Sequence, residues 1–211
     1  MDRHASHSLV NDLRRTDRLT ALACRLMTTV IIVDVVVSFL ALAVASSSSP
    51  DPDGVELARI AYALFVVVQI ATAIALAAWS QRTVDNVILI GGEGSRAMAS
   101  FGWLIPVGHL VLPFLELGTA ARSIGADHPA RGRWHGAFVA AFVATLLPFS
   151  GTAEMAFVCT AASIVLLVIA ARSARTAMQH LDDTIYDRAR AGRSGPSERR
   201  EQGAVDNRSQ V

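Results

Sequence analysis

Residues 26–45 of the chain read LMTTVIIVDVVVSFLALAVA, and their only charged side chain is Asp34. An α-helix rises about 1.5 Å per residue, so about twenty apolar residues cross the hydrocarbon core of a bilayer, which is about 30 Å thick. The stretch therefore predicts a membrane-spanning helix. Further apolar stretches predict spans at 60–79, 134–149 and 155–171.

The composition agrees with a membrane protein. Of the 211 residues, 52% are hydrophobic and 18% are charged, and the mean hydropathy is +0.41. Soluble domains carry about 25% charged residues. The net charge of +1 and the two cysteines do not fit a nucleic-acid-binding protein or a disulfide scaffold.

An apolar block at residues 101–118 differs from the four predicted spans. Pro106 and Pro113 each lack a backbone N–H, and each clashes with the carbonyl four residues earlier, so the block cannot form one straight helix. Irregular backbone at membrane depth has to be buried in protein or to line a wet cavity. We predict that this block is a re-entrant or interfacial segment.

The arginines predict the orientation. All 19 basic residues are arginines, and basic residues near spans are retained in the cytoplasm. Arginines cluster before the first span, between the 101–118 block and the span at 134–149, and in the C-terminal tail. Four crossings place every arginine except Arg59 in the cytoplasm, together with both termini. Trp79, Trp103 and Trp134 then fall at cytoplasmic boundaries, where interfacial aromatic residues collect.

The sequence thus predicts an all-α integral membrane bundle of four transmembrane helices plus one proline-broken segment. Residues 1–25 form a cytoplasmic N-terminal segment whose first dozen residues are predicted to be disordered. Residues 26–171 form the transmembrane domain. Residues 172–190 form a cytoplasmic helix with Met178, Leu181 and Ile185 at helical spacing, and residues 191–211 form a disordered tail rich in Gly, Ser, Glu and Arg.

Polar residues inside the apolar blocks are the candidates for function. An ionised Asp34 costs about 3 kcal/mol to insert, so it needs a partner or a proton. It is either a proton- or cation-handling carboxylate, or a structural residue that touches Gln69, Thr28 or Ser38. His109 and Glu116, seven residues apart, share a face if their segment is helical.

Other patterns have structural interpretations. The run Gly92–Ala97 imitates a dinucleotide-binding fingerprint but lies between membrane blocks, so a flexible turn is expected. His180, Asp182, Asp183 and Asp187 are expected to form a solvated helix face. Since no catalytic motif or metal-ligand spacing is recognisable, we expect neither an enzyme nor a bound cofactor or metal.

One segment carries a family resemblance. The pattern consists of Trp79, Arg82, Asn86, a glycine-containing linker, Trp103-Leu104-Ile105-Pro106, Leu110, Pro113 and Arg122. It resembles the signature of the DUF4328 family of uncharacterised bacterial membrane proteins. The family has Asn where this chain has His109, and Glu-Leu-Trp where this chain has Thr119-Ala120-Ala121. The resemblance implies a multi-pass protein of a bacterial inner membrane, and it brings no activity, substrate or cofactor.

Two functions follow as hypotheses. The first is a scaffold or accessory subunit that acts through helix packing and through its cytoplasmic helix on a membrane or cytoplasmic protein partner. Alanine-rich spans, which permit close helix approach, favour it. The alternative is a small permease or channel-like component that uses Asp34 and the broken segment 101–118. In both cases the lipid bilayer is a partner and nucleic acid is not.

Overall fold

The computed structural model describes residues 3–46, 52–103, 105, 111–146 and 153–191, and these residues contain no strand. The prediction of an all-α protein is confirmed. The helices are α1 (Arg3–Ser46), α2 (Pro52–Leu89), α3 (Arg96–Phe101), α4 (Leu112–Ser123), α5 (Pro129–Leu146) and α6 (Ala153–Ala191).

Three helices are long and apolar enough to cross a membrane, namely α1, α2 and α6. They carry the predicted spans at 26–45, 60–79 and 155–171. The fourth predicted span, 134–149, lies mostly on α5, which starts earlier, at Pro129, and includes Arg131 and Arg133 in its first turns. Residues 147–149 of that span lie outside the described residues, so the fourth crossing stays a prediction.

The long helices extend far beyond a bilayer. The 44 residues of α1 and the 39 residues of α6 correspond to helices of roughly 60 Å, about twice the thickness of the hydrocarbon core. Residues 172–190 are helical and continuous with the predicted span at 155–171, and their position in the cytoplasm stays a prediction. The N-terminal segment also differs from expectation, because α1 is already helical from Arg3 and is continuous with the first span. The disordered tail was predicted at residues 191–211. Ala191 is the last residue of α6, and residues 192–211 lie outside the described residues.

The helices pack as two antiparallel pairs, α1 with α2 and α5 with α6, and α1 also packs against α6. Buried side chains concentrate at one end of this bundle. In α2 all of the buried residues lie between Thr72 and Val87. The apolar windows of α1, α2 and α6 are at most 22% buried. Apolar helix surface of this kind is stable in lipid and costly in water.

The 101–118 block is broken, as the prolines predict. Helix α3 ends at Phe101, and α4 begins at Leu112 with Pro113 in its first turn. Proline is tolerated there, because backbone N–H groups in the first turn of a helix have no intrahelical acceptor. Pro106 lies outside the described residues. The short helix α3 before the break was not predicted from the sequence. It starts at Arg96, and Ser95 caps it by accepting a hydrogen bond from the Met98 N–H at 3.5 Å.

Helices α3 and α4 form a hairpin whose two ends meet. The N–H of Glu93 donates to Ser123 Oγ at 2.9 Å, and the N–H of Ser95 donates to Glu116 Oε1. Helix α3 runs back along α2, since Arg96 pairs with Asp85 near the end of α2. The backbone turns at Ile90 and Gly91, where Gly91 has a φ of 86°. The turn predicted at 92–97 is correct only in part, because Arg96 and Ala97 already belong to α3.

Candidate functional site

The tryptophans lie together in the bundle. Trp103 stacks on Trp134 with ring centroids 6.0 Å apart, Trp79 lies 6.2 Å from Trp134, and Phe114 meets Trp134 edge-on at 4.9 Å. All four rings are at most 5% exposed. The placement of the tryptophans at cytoplasmic boundaries stays a prediction, but their rings pack inside the bundle and do not lie in the lipid interface as interfacial aromatic residues usually do. Aromatic pairs in contact contribute about 0.5–1.5 kcal/mol each beyond the area that they bury, so the cluster stabilises the junction of α2, α4 and α5.

The cluster holds the proline-broken segment against the bundle. Trp103 Nε1 donates to Ser80 Oγ at 2.7 Å, and Ser80 in turn donates to the Leu76 carbonyl at 2.7 Å. Gly102 allows α3 and α4 to approach, because a Cβ there would lie 2.8 Å from the Met98 carbonyl oxygen and 2.9 Å from Pro113 Cδ. Trp103, just after α3, is thus bound to α2 at Ser80, one residue beyond the predicted span at 60–79.

The other residues of the family-like pattern divide into two groups. Asn86 is buried and donates from Nδ2 to Thr16 Oγ1 at 2.8 Å, which joins α2 to α1. Arg82 and Arg122 are exposed. Pro106 and His109 lie outside the described residues. Trp79, Asn86, Trp103 and Pro113 therefore act as packing residues, and the two arginines lie at the surface.

The polar residues predicted inside the membrane do not converge. Asp34 is half-buried in α1, and within the described part of the chain its carboxylate has no hydrogen bond or ion pair. Gln69 is exposed on α2. Glu116 accepts the Ser95 N–H and so fastens α4 to the start of α3. The expected contact of Asp34 with Thr28 is not made, since Thr28 donates to the Cys24 carbonyl at 3.0 Å.

The sequence did not predict a polar groove that lies between α1 and α6. Its volume is about 1110 Å³. It is lined by Asp17, Thr20, Ala21, Cys24, Arg25, Thr28 and Thr29 of α1 and by Ala171, Arg172, Arg175, Gln179, Asp182 and Asp183 of α6. It is open at the side, and it carries charges of both signs.

Asp182 is the most perturbed group in the groove. Its Oδ2 accepts a hydrogen bond from Thr20 Oγ1 at 2.6 Å, and its Oδ1 has no partner within the described residues. Burial raises the pKa of Asp182 to about 7; the carboxylates of Asp17 and Asp183 add to the rise, and the Thr20 hydrogen bond opposes it. Asp182 is therefore partly protonated at neutral pH.

The expectation of a wholly solvated charged face on α6 is wrong for Asp182. Met178, Leu181 and Ile185 are buried, and position 182 shares their face at i+4 from Met178. The spacing of Asp182 from Met178 is therefore the feature of the sequence that could have indicated the burial of Asp182. Asp183 and Asp187 are exposed, as expected. His180 is half-buried, and its ring centroid lies 4.7 Å from that of His128.

Comparison of the chain with known protein families, with curated proteins and with solved structures finds no match. The resemblance to DUF4328 stays a prediction. Across the described ranges, no group of three His, Cys, Asp or Glu side chains is arranged to hold a metal ion.

Proposed function

We propose that the chain is a four-crossing protein of a bacterial inner membrane, with both termini in the cytoplasm, that acts by contact as a scaffold or accessory subunit and not as an enzyme. Helices α1, α2 and α6 supply three crossings, and the span predicted at 134–149 supplies the fourth. The segment 101–118 enters the membrane interface and returns.

The meeting ends of the α3–α4 hairpin support this topology. A crossing segment separates its ends by about 30 Å, whereas the N–H of Glu93 and Ser123 Oγ are 2.9 Å apart. Around the break, Phe101, Ile105 and Leu115 are exposed apolar side chains. Exposed apolar side chains on both sides of the break favour burial in the lipid interface.

The buried and half-buried polar residues serve to connect helices, and this supports a contact function. Asn86, Glu116, Ser80 and Asp85 each bind a residue of another helix or helix terminus. They therefore hold helices together and do not surround a common reacting centre, which catalysis requires. A bundle fastened in this way presents fixed surfaces to partners.

A topology map tests the architecture. Reporters active inside or outside the cell are fused at Gly125, which follows α4, and at the C-terminus. We expect both fusions to report the cytoplasm, because the hairpin returns to the end of α2 from which it started. An external Gly125 would show that the segment 101–118 crosses the membrane, and it would contradict the four-crossing arrangement.

Surface substitutions test the contact function. Removing residues 173–211 is unsuitable, because it would also remove core residues such as Met178 and Ile185. Tyr186 and Asp187 are exposed on the emerging part of α6. After cross-linking in intact membranes, we expect Tyr186→Ala with Asp187→Arg to lower recovery of a co-purifying protein by about tenfold, as loss of an aromatic contact at an interface does.

The matched control places the same changes at the opposite end of the bundle. Tyr62→Ala with Glu56→Arg alters an exposed tyrosine and an exposed acid of α2 and is expected to leave recovery unchanged. Equal recovery from wild type and the α6 variant, or no partner recovered from wild type, would contradict the contact function.

The permease alternative is favoured by two features of the spans. Asp34 is a half-buried carboxylate in an apolar helix, and a cavity of about 310 Å³ between the spans is lined by Gln69, Thr72 and apolar side chains. Measuring ion and proton flux through reconstituted vesicles that contain wild type or Asp34→Asn distinguishes the permease from the contact protein. Altered ion or proton flux would support a permease, and unaltered flux would support a contact protein.

A further inference from the structure

We propose that the groove between α1 and α6 binds the phosphate of a membrane phospholipid headgroup, which Arg25, Arg172 and Arg175 hold. This site goes beyond the contact function. It rests on the proposed spans at 26–45 and 155–171, because they set the depth of the groove relative to the bilayer.

The arginines lie at the level of the lipid phosphates. Arg25 is the last residue before the span on α1, and Arg172 is the first residue after the span on α6. Because α1 and α6 are antiparallel, these two residues lie at the same end of their spans and line the same groove. Arg175 is almost one turn farther from the bilayer. Basic residues between helices at this depth are typical of sites for lipid headgroups.

The three arginines of the groove have no carboxylate partner. All three are exposed, and none of their guanidinium groups forms an ion pair or a hydrogen bond with another described residue. Other arginines of the chain do have carboxylate partners: Arg131 pairs with Asp127 at 2.8 Å, and Arg96 pairs with Asp85. Guanidinium groups bind phosphate oxygens through pairs of hydrogen bonds.

The carboxylates of the groove lie farther from the bilayer. Asp182 is ten residues beyond Arg172 on α6, a rise of about 15 Å. The charges that act on Asp182 are the carboxylates of Asp17 and Asp183, and Thr20 binds one of its oxygens. The groove is therefore basic next to the membrane and acidic away from it, so a phosphate is attracted at the end that faces the lipid.

The groove is also large enough for a headgroup. Small-molecule sites have volumes of about 300–1,000 Å³, and this groove has about 1110 Å³. It is open at the side, and the exposed apolar surface of α1 and α6 begins at its bilayer end. A lipid can therefore place its phosphate between the arginines while its acyl chains remain along the spans.

Native mass spectrometry of the full chain in a neutral detergent tests the proposal with three probes: phosphatidylglycerol, phosphatidylcholine and inorganic phosphate. We expect phosphatidylglycerol to bind most tightly. A surface arginine contributes about fivefold to binding of an anionic lipid, so Arg172→Gln with Arg175→Gln is expected to weaken phosphatidylglycerol binding by at least about tenfold.

The control is Arg82→Gln with Arg133→Gln, which removes two exposed arginines on the same proposed side of the membrane. We expect it to bind phosphatidylglycerol within about twofold of wild type, because neither residue lines the groove. Wild-type affinity in the groove variant, or an equal loss in the control, would overturn the site. Inorganic phosphate bound as tightly as the lipid would also overturn it, since the ligand would then be a free anion.

Alkaline extraction of membranes separates this proposal from the proposed architecture. Wild type and both variants are expected to stay in the membrane fraction and to keep their helical circular dichroism. Loss of wild type from the membrane fraction would contradict the spans themselves. Retention together with undiminished lipid binding in the groove variant would contradict the groove alone.

Discussion

Replacing Trp134 by alanine is expected to lower the free energy of unfolding by about 3–5 kcal/mol, the usual cost of removing a buried aromatic ring. Trp134 is 3% exposed and contacts Trp79, Trp103 and Phe114. Without this ring, the cluster that fastens the proline-broken segment loses its central member. Unfolding in mixed micelles, followed by circular dichroism during a titration with sodium dodecyl sulfate, measures the change.

Phe101→Ala is the matched control for Trp134→Ala. Its ring is 63% exposed at the end of α3, so its removal leaves no cavity, and the expected change is about 0.5 kcal/mol or less. Similar destabilisation by the two variants would show that the aromatic cluster is not the core of the bundle. A small effect of Trp134→Ala alone would have the same meaning.

The second large effect is a pH dependence of stability that Asp182 causes. Burial, with Asp17 and Asp183 nearby, raises the pKa of Asp182 from 3.8 to about 7. The unfolded chain therefore releases this proton at lower pH than the folded protein does. Protonated Asp182 therefore contributes its full stabilisation to the folded state below about pH 4. This contribution to the free energy of unfolding is lost as the pH rises to about 7, and the loss is up to about 4 kcal/mol.

Asp182→Asn removes the titrating group and keeps an oxygen that can accept the hydrogen bond from Thr20. We expect the variant to match wild type near pH 4 and to exceed it in stability near pH 8. Thermal unfolding in neutral detergent across this pH range measures the difference. Asp187→Asn, at an exposed position of the same helix, is the control. It is expected to keep the wild-type profile, because Asp187 is not among the charges that raise the pKa of Asp182. If Asp182→Asn kept the wild-type dependence of stability on pH, the buried carboxyl of Asp182 would not be its cause.

The sequence predicted the features that depend on local composition and backbone chemistry. The apolar runs on α1, α2 and α6 indicated helices able to cross a membrane, because lipid imposes a minimum length of uncharged residues. Pro113 indicated an interruption, since proline cannot sit inside a helix without losing a hydrogen bond. Both properties belong to segments of the chain and need no knowledge of neighbours.

The features that depend on neighbouring helices could not be predicted in the same way. Trp103 and Trp134 were assigned to the lipid interface, which is the average location of tryptophan in membrane proteins, and the structure buries them against each other. Asp182 was assigned to water because its sequence neighbours are charged, and the packing of α6 on α1 places it beside Thr20. In both cases the partner lies far away in sequence.

The sequence by itself determined that this is an all-helical protein with apolar helices of membrane-spanning length, interrupted at a proline-containing block, because these properties follow from the hydropathy and backbone of single segments. Only the tertiary structure decided that Asn86 binds Thr16, that Glu116 holds the start of α3, and that α1 and α6 enclose a charged groove. The reason is physical: burial and hydrogen bonding depend on which side chains meet across helices. The sequence of one helix can indicate its buried face, but it does not say which side chains of other helices pack there.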